Sequence, residues 1–241
     1  MSQTPFQDGS ISAHSIAPAQ VIRGSGAWNE ALPSLRALCS QPLMLGRSQA
    51  TEDLRSQLCR DLTERGLTVQ QQLLNHDCCE QDLQRIEAAS RGLGCDAVIA
   101  SGGGKVLDAG KLLADRLDVA CITVPLSAAT CAGWTALSNL YSPQGSFMGD
   151  QSLRRCPDLL VFDHDLLLQA PARTLASGIA DALAKWYEAS VSSGSSQDGL
   201  IQQAVQMARV LRDQLLIDSV EAIRSPGGQA WRRVVEACGL T

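Results

Sequence analysis

Two periods of apolar residues divide this chain. Short apolar runs bounded by Gly, Pro or polar residues read as buried strands, and apolar residues three and four apart read as helices facing a core. Gln41 to Gly46 is a predicted strand, and Gln49 to Arg65 an amphipathic helix closed by Gly66. A weaker strand, Leu67 to Leu74, precedes a helix from Glu80 to Arg91, closed by Gly92. Asp96 to Ala100 and Ala120 to Val124 are further strands, with a helix between them carrying Val106, Leu107, Gly110, Leu113, Ala114 and Leu117 on one face. Leu137 to Asp150 reads as a hairpin turning at Ser142-Pro-Gln-Gly145, and Asp158 to Phe162 as the last strand. After Pro171 no strand appears. Helices are expected over Ala172 to Ser192, Asp198 to Leu216 and Gln229 to Ala237, with Ser192 to Ser196 as a loop between the first two.

Strands alternating with helices predict a parallel, Rossmann-like sheet covered on both faces. The expected organisation is α/β, with a flexible tail over 1–18, an α/β nucleotide-binding domain over 19–168, and the start of an all-helical domain over 169–241. Met1 to Ile16 lack the basic-then-apolar order of a secretory signal.

Candidate chemistry concentrates in Ala100-Ser-Gly-Gly-Gly-Lys-Val-Leu-Asp-Ala-Gly-Lys111. Three glycines stand where a strand becomes a helix. Without Cβ atoms they let a ligand approach the backbone, and the helix start offers free N–H groups and a positive dipole end to an anion. The spacing matches neither G-x-G-x-x-G nor the P-loop; a Gly-rich turn made for packing is the alternative reading.

Composition narrows the function classes. The chain has 241 residues, 45% of them hydrophobic, and a net charge of −5 without a Lys/Arg cluster, which argues against nucleic-acid binding. No apolar run approaches membrane-spanning length. The nine cysteines form no C-x-x-C pair or regular spacing, so they predict neither a disulfide framework nor a zinc site. Most read as core fillers in a reducing cytoplasm. Cys78-Cys79 reads as loop or surface.

Several ordered motifs resemble the glycerol dehydrogenase branch of the iron-containing alcohol dehydrogenase and dehydroquinate synthase-like superfamily. They are Gly102 to Lys111, Ile122-Thr-Val-Pro125, Thr135 to Gly145, Cys156 to Asp163, Ala170-Pro-Ala-Arg173 and Gly178-Ile-Ala-Asp-Ala-Leu-Ala-Lys-Trp-Tyr-Glu188, with a weaker match at Val21 to Ala27. The resemblance implies an NAD(P)-dependent, metal-dependent oxidoreductase acting on an alcohol or polyol, a small-molecule enzyme that forms homo-oligomers. Gly102, Gly103, Gly104 and Lys105 would cradle the pyrophosphate, with Asp108 ordering the turn. Ser127, Thr130, Thr135, Leu137 and Tyr141 would line the nicotinamide side; plain hairpin packing is the alternative for Leu137 and Tyr141. Asp181 takes the position of an aspartate that ligates zinc or iron; the alternative is a solvated Asp181–Lys185 pair.

The chain also departs from this pattern. The family supplies two metal-binding histidines downstream of the aspartate. The three histidines here, His14, His76 and His164, match neither position and read as surface or loop residues. The expectation is a dehydrogenase truncated at its C-terminus and lacking these ligands. Cys131 stands where glycerol dehydrogenases carry a substrate-contacting aspartate, and a thiol is a poor partner for a diol. Gly46-Arg47 replaces the acid that takes the adenosine ribose hydroxyls in NAD-preferring relatives. Arg47 reads first as a solvated arginine and second as a seat for the 2′-phosphate of NADP. Two other functions stay open: a non-catalytic nucleotide-binding module, and a non-redox dehydroquinate synthase-like enzyme.

Overall fold

The computed structural model describes residues 14–240. Its strands are β1 (Gln20–Gly24), β2 (Pro42–Gly46), β3 (Gln70–Leu73), β4 (Ala97–Gly102), β5 (Ala120–Pro125), β6 (Leu137–Tyr141), β7 (Phe147–Ser152) and β8 (Leu159–Asp163). The helices are α1 (Ala27–Leu38), α2 (Glu52–Glu64), α3 (Glu80–Leu93), α4 (Gly104–Leu117), α5 (His164–Leu168), α6 (Ala172–Ser193), α7 (Gly199–Arg224) and α8 (Gln229–Gly239). Six strands form one sheet in the order β1-β8-β5-β4-β2-β3, and every pairing in it is parallel. The antiparallel pair β6-β7 stands apart.

Every residue of β2, β4 and β8 is buried, as expected for central parallel strands covered on both faces. Alternate side chains serve different layers. Met44, Ile99, Ile122, Leu159 and Val161 meet Trp28, Leu32 and Leu35 of α1 and Leu58 and Leu62 of α2. Leu43, Leu45, Val98 and Cys121 meet Leu83, Ile86, Val106, Leu112 and Leu113 of α3 and α4. Leu160 and Phe162 leave that layer and pack with Leu175, Leu211, Leu215, Trp231 and Val234 of α6, α7 and α8. Two glycines allow the closest approaches. A Cβ on Gly110 of α4 would lie 2.3 Å from the Ala100 Cβ, and one on Gly178 of α6 would lie 1.9 Å from the Ala128 carbonyl oxygen. So α4 lies directly on β4, and α6 lies on the loop that follows β5.

The α/β architecture followed by helices agrees with the sequence reading, and the details correct it. β1, α1 and α5 were not predicted. The Gln49–Thr51 segment is a 3₁₀ turn ahead of α2. α3 runs past Gly92 and ends at Gly94, which takes the left-handed conformation at φ 67°. α7 continues beyond Leu216 because its buried stripe continues through Leu215, Asp218 and Ala222. Arg233 of α8 then grips Asp218 with two bonds of 2.7 Å. Cys78 and Cys79 are fully buried rather than at the surface, because Cys79 caps α3 and Cys78 packs in the layer of Leu43 and Leu83. Burial pushes the Cys78 thiol well above its usual range. All nine cysteines are free, and seven of them are buried.

Of the expected N-terminal tail, residues 1–13 lie outside the described residues. Ser15 is held to Cys156, whose N–H donates to the Ser15 hydroxyl at 2.8 Å. Among the described residues no helix is long and apolar enough to cross a membrane. Tyr187, Val191, Met207, Val210, Leu216, Ile217 and Val220 on α6 and α7 are exposed.

Candidate nucleotide-binding crevice

The topology singles out one place. From β2 the chain moves outward to β3, and from β4 it moves the other way to β5. The order therefore reverses between β2 and β4, and ligands of open α/β sheets bind at such a point, outside the carboxyl ends of the strands. A crevice of about 260 Å³ opens there, lined by Arg47, Ser48 and Thr51 after β2 and by Ser101 to Val106 around the β4–α4 turn.

The glycines form this turn as expected. Gly103 is the N-cap of α4 at φ −83° and ψ 179°, with no side-chain cap. Its carbonyl accepts the N–H groups of Val106 and Leu107 at 2.9 and 3.1 Å. The N–H groups of Gly104 and Lys105 have no acceptor among the described residues. The Ser101 hydroxyl is buried in the lining and has no partner among the described residues. A Cβ on Gly103 would meet only the Ser127 hydroxyl, at 3.8 Å, so the space above it is open; a Cβ on Gly104 would meet the Thr130 methyl at 2.7 Å. Gly102 closes β4, and its carbonyl accepts the Leu126 N–H at 3.0 Å. Gly102, Gly103, Gly104, Lys105, Ser127 and Thr130 thus come together at one end of the crevice.

Behind the turn, α4 holds the hairpin that carries Thr135, Leu137 and Tyr141. Asp108, expected to order the turn, stands inside α4 beyond it. It is buried and pairs with Lys111 at 3.2 Å, while burial pushes its carboxyl up. The Lys111 ammonium donates to the Thr135 carbonyl at 3.1 Å, to the Thr135 hydroxyl at 3.2 Å and to the Leu137 carbonyl. Thr135 and Leu137 are therefore anchored to α4 through backbone oxygens. Tyr141 packs edge-on against Phe147, and the Lys105 ammonium lies 4.7 Å from its ring centre.

Sequence reasoning missed Asp77, which follows β3. Its carboxylate takes the guanidinium of Arg47 with one oxygen and the ammonium of Lys105 with the other. Arg47 is thus ion-paired at the crevice wall rather than merely solvated. The loop that carries Asp77 is fixed by Asp82 in the first turn of α3, which accepts the N–H groups of Asn75 and His76 at 2.8 and 2.7 Å. Burial opposes charge on Asp82, yet these bonds and Arg85 hold its carboxyl below the usual range. Ligand atoms of His76, Cys79 and Asp82 lie within 4.8 Å of one another, but the Asp82 oxygens are already committed to this loop and to Arg85.

Asp181 is half-exposed and lies 3.4 Å from the Lys185 ammonium, which is buried and makes no hydrogen bond among the described residues, so the pair is not a solvated one. It belongs to no group of three metal-ligating side chains among the described residues. The Lys185 ammonium also faces Cys131, the position expected to touch substrate. His164 is a correction: instead of lying at the surface it starts α5, is buried, bonds Glu236 at 3.0 Å and packs edge-on against Phe162 and Trp231.

Comparison with known proteins gives the family. Residues 18–164 match the sequence profile "Iron-containing alcohol dehydrogenase". An uncharacterized oxidoreductase of Synechocystis sp. is 46% identical over 222 residues, which are 92% of this chain and 57% of that protein. A glycerol dehydrogenase of Pseudomonas putida is 31% identical over 229 residues, 91% of this chain and 63% of the enzyme. The solved structure of a probable glycerol dehydrogenase from Sinorhizobium meliloti superposes with a TM-score of 0.84 at 26% identity, over 95% of this chain and 65% of that one. The chain therefore spans about three fifths of the length of these relatives. With its β4–α4 turn inside the matched region, and that region covering more than half of its residues, the chain belongs to the iron-containing alcohol dehydrogenase family.

Proposed function

We propose that this chain is the nucleotide-binding part of an NAD(P)-dependent alcohol or polyol dehydrogenase. Residues 19–168 form the cofactor-binding unit, and 169–241 belong to a helical unit beside it. The single observation that carries this reading is the coincidence of the switch-point crevice with a turn whose Gly104 and Lys105 N–H groups and buried Ser101 hydroxyl have no partner among the described residues. Two free amides at a helix start, an orphan hydroxyl and open space above Gly103 fit a pyrophosphate. Lys105, steered by Asp77 and Tyr141, adds the neutralising charge. Ser127 and the α4-anchored hairpin stand beyond the phosphates, where they would orient the ring and keep water from it. When bound, the nicotinamide accepts or donates the hydride.

The donor set does not fit a zinc or iron ion in the same way. Asp181 is one half-exposed carboxylate, only loosely paired with Lys185, and a tight site needs at least three protein ligands. A second reading of these residues is a nucleotide-binding module without catalysis. We expect the purified chain to hold well under one equivalent of zinc or iron by elemental analysis and to show no NAD(P)-dependent oxidation of glycerol. One tightly held metal per chain, retained in Asp181→Ala, would point to ligands elsewhere, His76, Cys79 and Asp82 first. The cofactor reading is tested by titrating the chain with NADH and NADPH and following nucleotide fluorescence; saturable binding of at least one is expected, and the absence of both sinks it.

A further inference from the structure

We propose that this chain prefers the 2′-phosphorylated nucleotide, NADP(H), and that Arg47 receives the phosphate while Arg55 positions and charges its seat. The inference rests on the nucleotide reading above and concerns the other end of the crevice, where β2 ends.

In dinucleotide-binding sheets the residues after the second strand meet the adenosine ribose. An acid there takes the 2′-hydroxyl, and an arginine accommodates a 2′-phosphate. Here the sequence is Gly46-Arg47-Ser48. A Cβ on Gly46 would lie 2.3 Å from both Cδ and Nε of Arg55. The Arg55 side chain fills the space beside Gly46, so a side chain at 46 would require Arg55 to move off the loop it holds.

Arg55 is itself unusual. It is 3% exposed and forms no ion pair within 4 Å among the described residues. One of its nitrogens, Nη1, donates to the Ser48 carbonyl at 2.8 Å and to the Thr51 hydroxyl at 2.5 Å. Arg55 thereby fixes the loop whose residues Ser48 and Thr51 line the crevice, and it places a buried positive charge beneath them. A buried cation without a carboxylate is costly unless an anion completes it. The charges around the seat point the same way. Arg47 and Lys105 share the single carboxylate of Asp77, so two cations face one acid at the crevice wall, and Arg55 adds a positive charge beneath the Ser48–Thr51 loop. Glu52 attracts Arg55 only through space. A doubly charged phosphate, with oxygens for the Arg47 fork and the Ser48 hydroxyl, suits this seat better than two neutral ribose hydroxyls.

The test compares NADPH with NADH, and 2′,5′-ADP with 5′-AMP, on the 241-residue chain. Binding of the first pair is followed by fluorescence and of the second by calorimetry and thermal shift. We expect NADPH to bind about tenfold or more tighter than NADH, and 2′,5′-ADP to raise the melting temperature where 5′-AMP at equal concentration does not. In Arg47→Gln the NADPH-to-NADH affinity ratio should fall about tenfold. Arg55→Lys should reduce the same ratio, because a lysine cannot hold Ser48 and Thr51 from one rigid fork. If NADH binds as well as NADPH, or Arg47→Gln leaves the ratio unchanged, the preference is overturned and the nucleotide reading stands. If neither dinucleotide binds, both fall. The wild-type comparison decides the matter even where a variant fails to fold.

Discussion

A Gly103→Val protein will lose nicotinamide-nucleotide binding and keep its fold. The backbone at Gly103 is extended, with φ −83° and ψ 179°, a conformation that β-branched residues favour. The new Cβ would meet nothing nearer than the Ser127 hydroxyl at 3.8 Å. Its methyl groups would therefore project into the crevice, where the proposed pyrophosphate approaches the Gly104 and Lys105 amides. Displacing the phosphates by the thickness of a methyl group removes both charge-assisted bonds, a loss of roughly 3 kcal/mol or about a hundredfold in affinity. The melting temperature should move by less than about 4 °C, the equivalent of 1 kcal/mol in a chain of this size. Gly110→Val provides the contrast. Its Cβ would stand 2.3 Å from the Ala100 Cβ in the core, so it should unfold the protein rather than blind it. Unchanged nucleotide affinity in folded Gly103→Val would refute the cradle.

Lys111→Met should destabilise the chain more than any surface substitution. The Lys111 side chain is 1% exposed and its partner Asp108 7%. Methionine matches the length of the stem but removes the ammonium. Asp108 is then buried without its cation, and the Thr135 and Leu137 carbonyls lose their donor. Removing one member of a buried ion pair costs on the order of 3–5 kcal/mol, a fall in melting temperature of roughly 10 °C. Because Lys111 is the bolt between α4 and the β6–β7 hairpin, amide exchange should accelerate first across 135–141. Burial already pushes the Asp108 carboxyl up, so in the variant it takes up a proton, and Asp108→Asn combined with Lys111→Met should recover part of the loss. A melting temperature within a degree or two of wild type would show that the hairpin is held by the remaining contacts, the Ser138 hydroxyl on the Asp108 carbonyl and the Tyr141 N–H on the Cys78 carbonyl.

Much of the fold is written locally. β2, β4, β5 and β8 are continuous apolar runs because both their faces are covered, and such runs stand out without any knowledge of neighbours. α1 was harder to see. Its buried stripe of Ala27, Trp28, Ala31, Leu32 and Leu35 is present, but Pro33 lies inside the helix, where propensity argues against one. Its start is capped from far away in sequence: Asp163 accepts the Trp28 N–H at 2.7 Å and Asp165 the Gly26 N–H at 2.9 Å. β1 lies at the sheet edge and is only partly buried, so its apolar signal is diluted. The end of α3 was misplaced by two residues because two glycines follow each other closely, and only the one that adopts φ 67° ends the helix.

The sequence by itself determined the order of elements, the Gly-rich turn and the family motifs, because backbone conformation at glycines and the burial pattern of strands are local properties. The tertiary structure alone decided which polar residues face the crevice. Asp77, Arg47 and Lys105 are separated by up to 58 positions, yet they share one carboxylate, and that pairing follows from the strand order, which puts β3, β2 and β4 side by side. The buried positions of Cys78, His164 and Arg55 likewise depend on what packs over them. A cysteine pair, a histidine after a strand and an arginine in an amphipathic helix look like surface residues until α3, α8 and Gly46 close around them. Asp108 is another case: its burial and its pairing with Lys111 follow from the hairpin packed over α4, which the motif does not show.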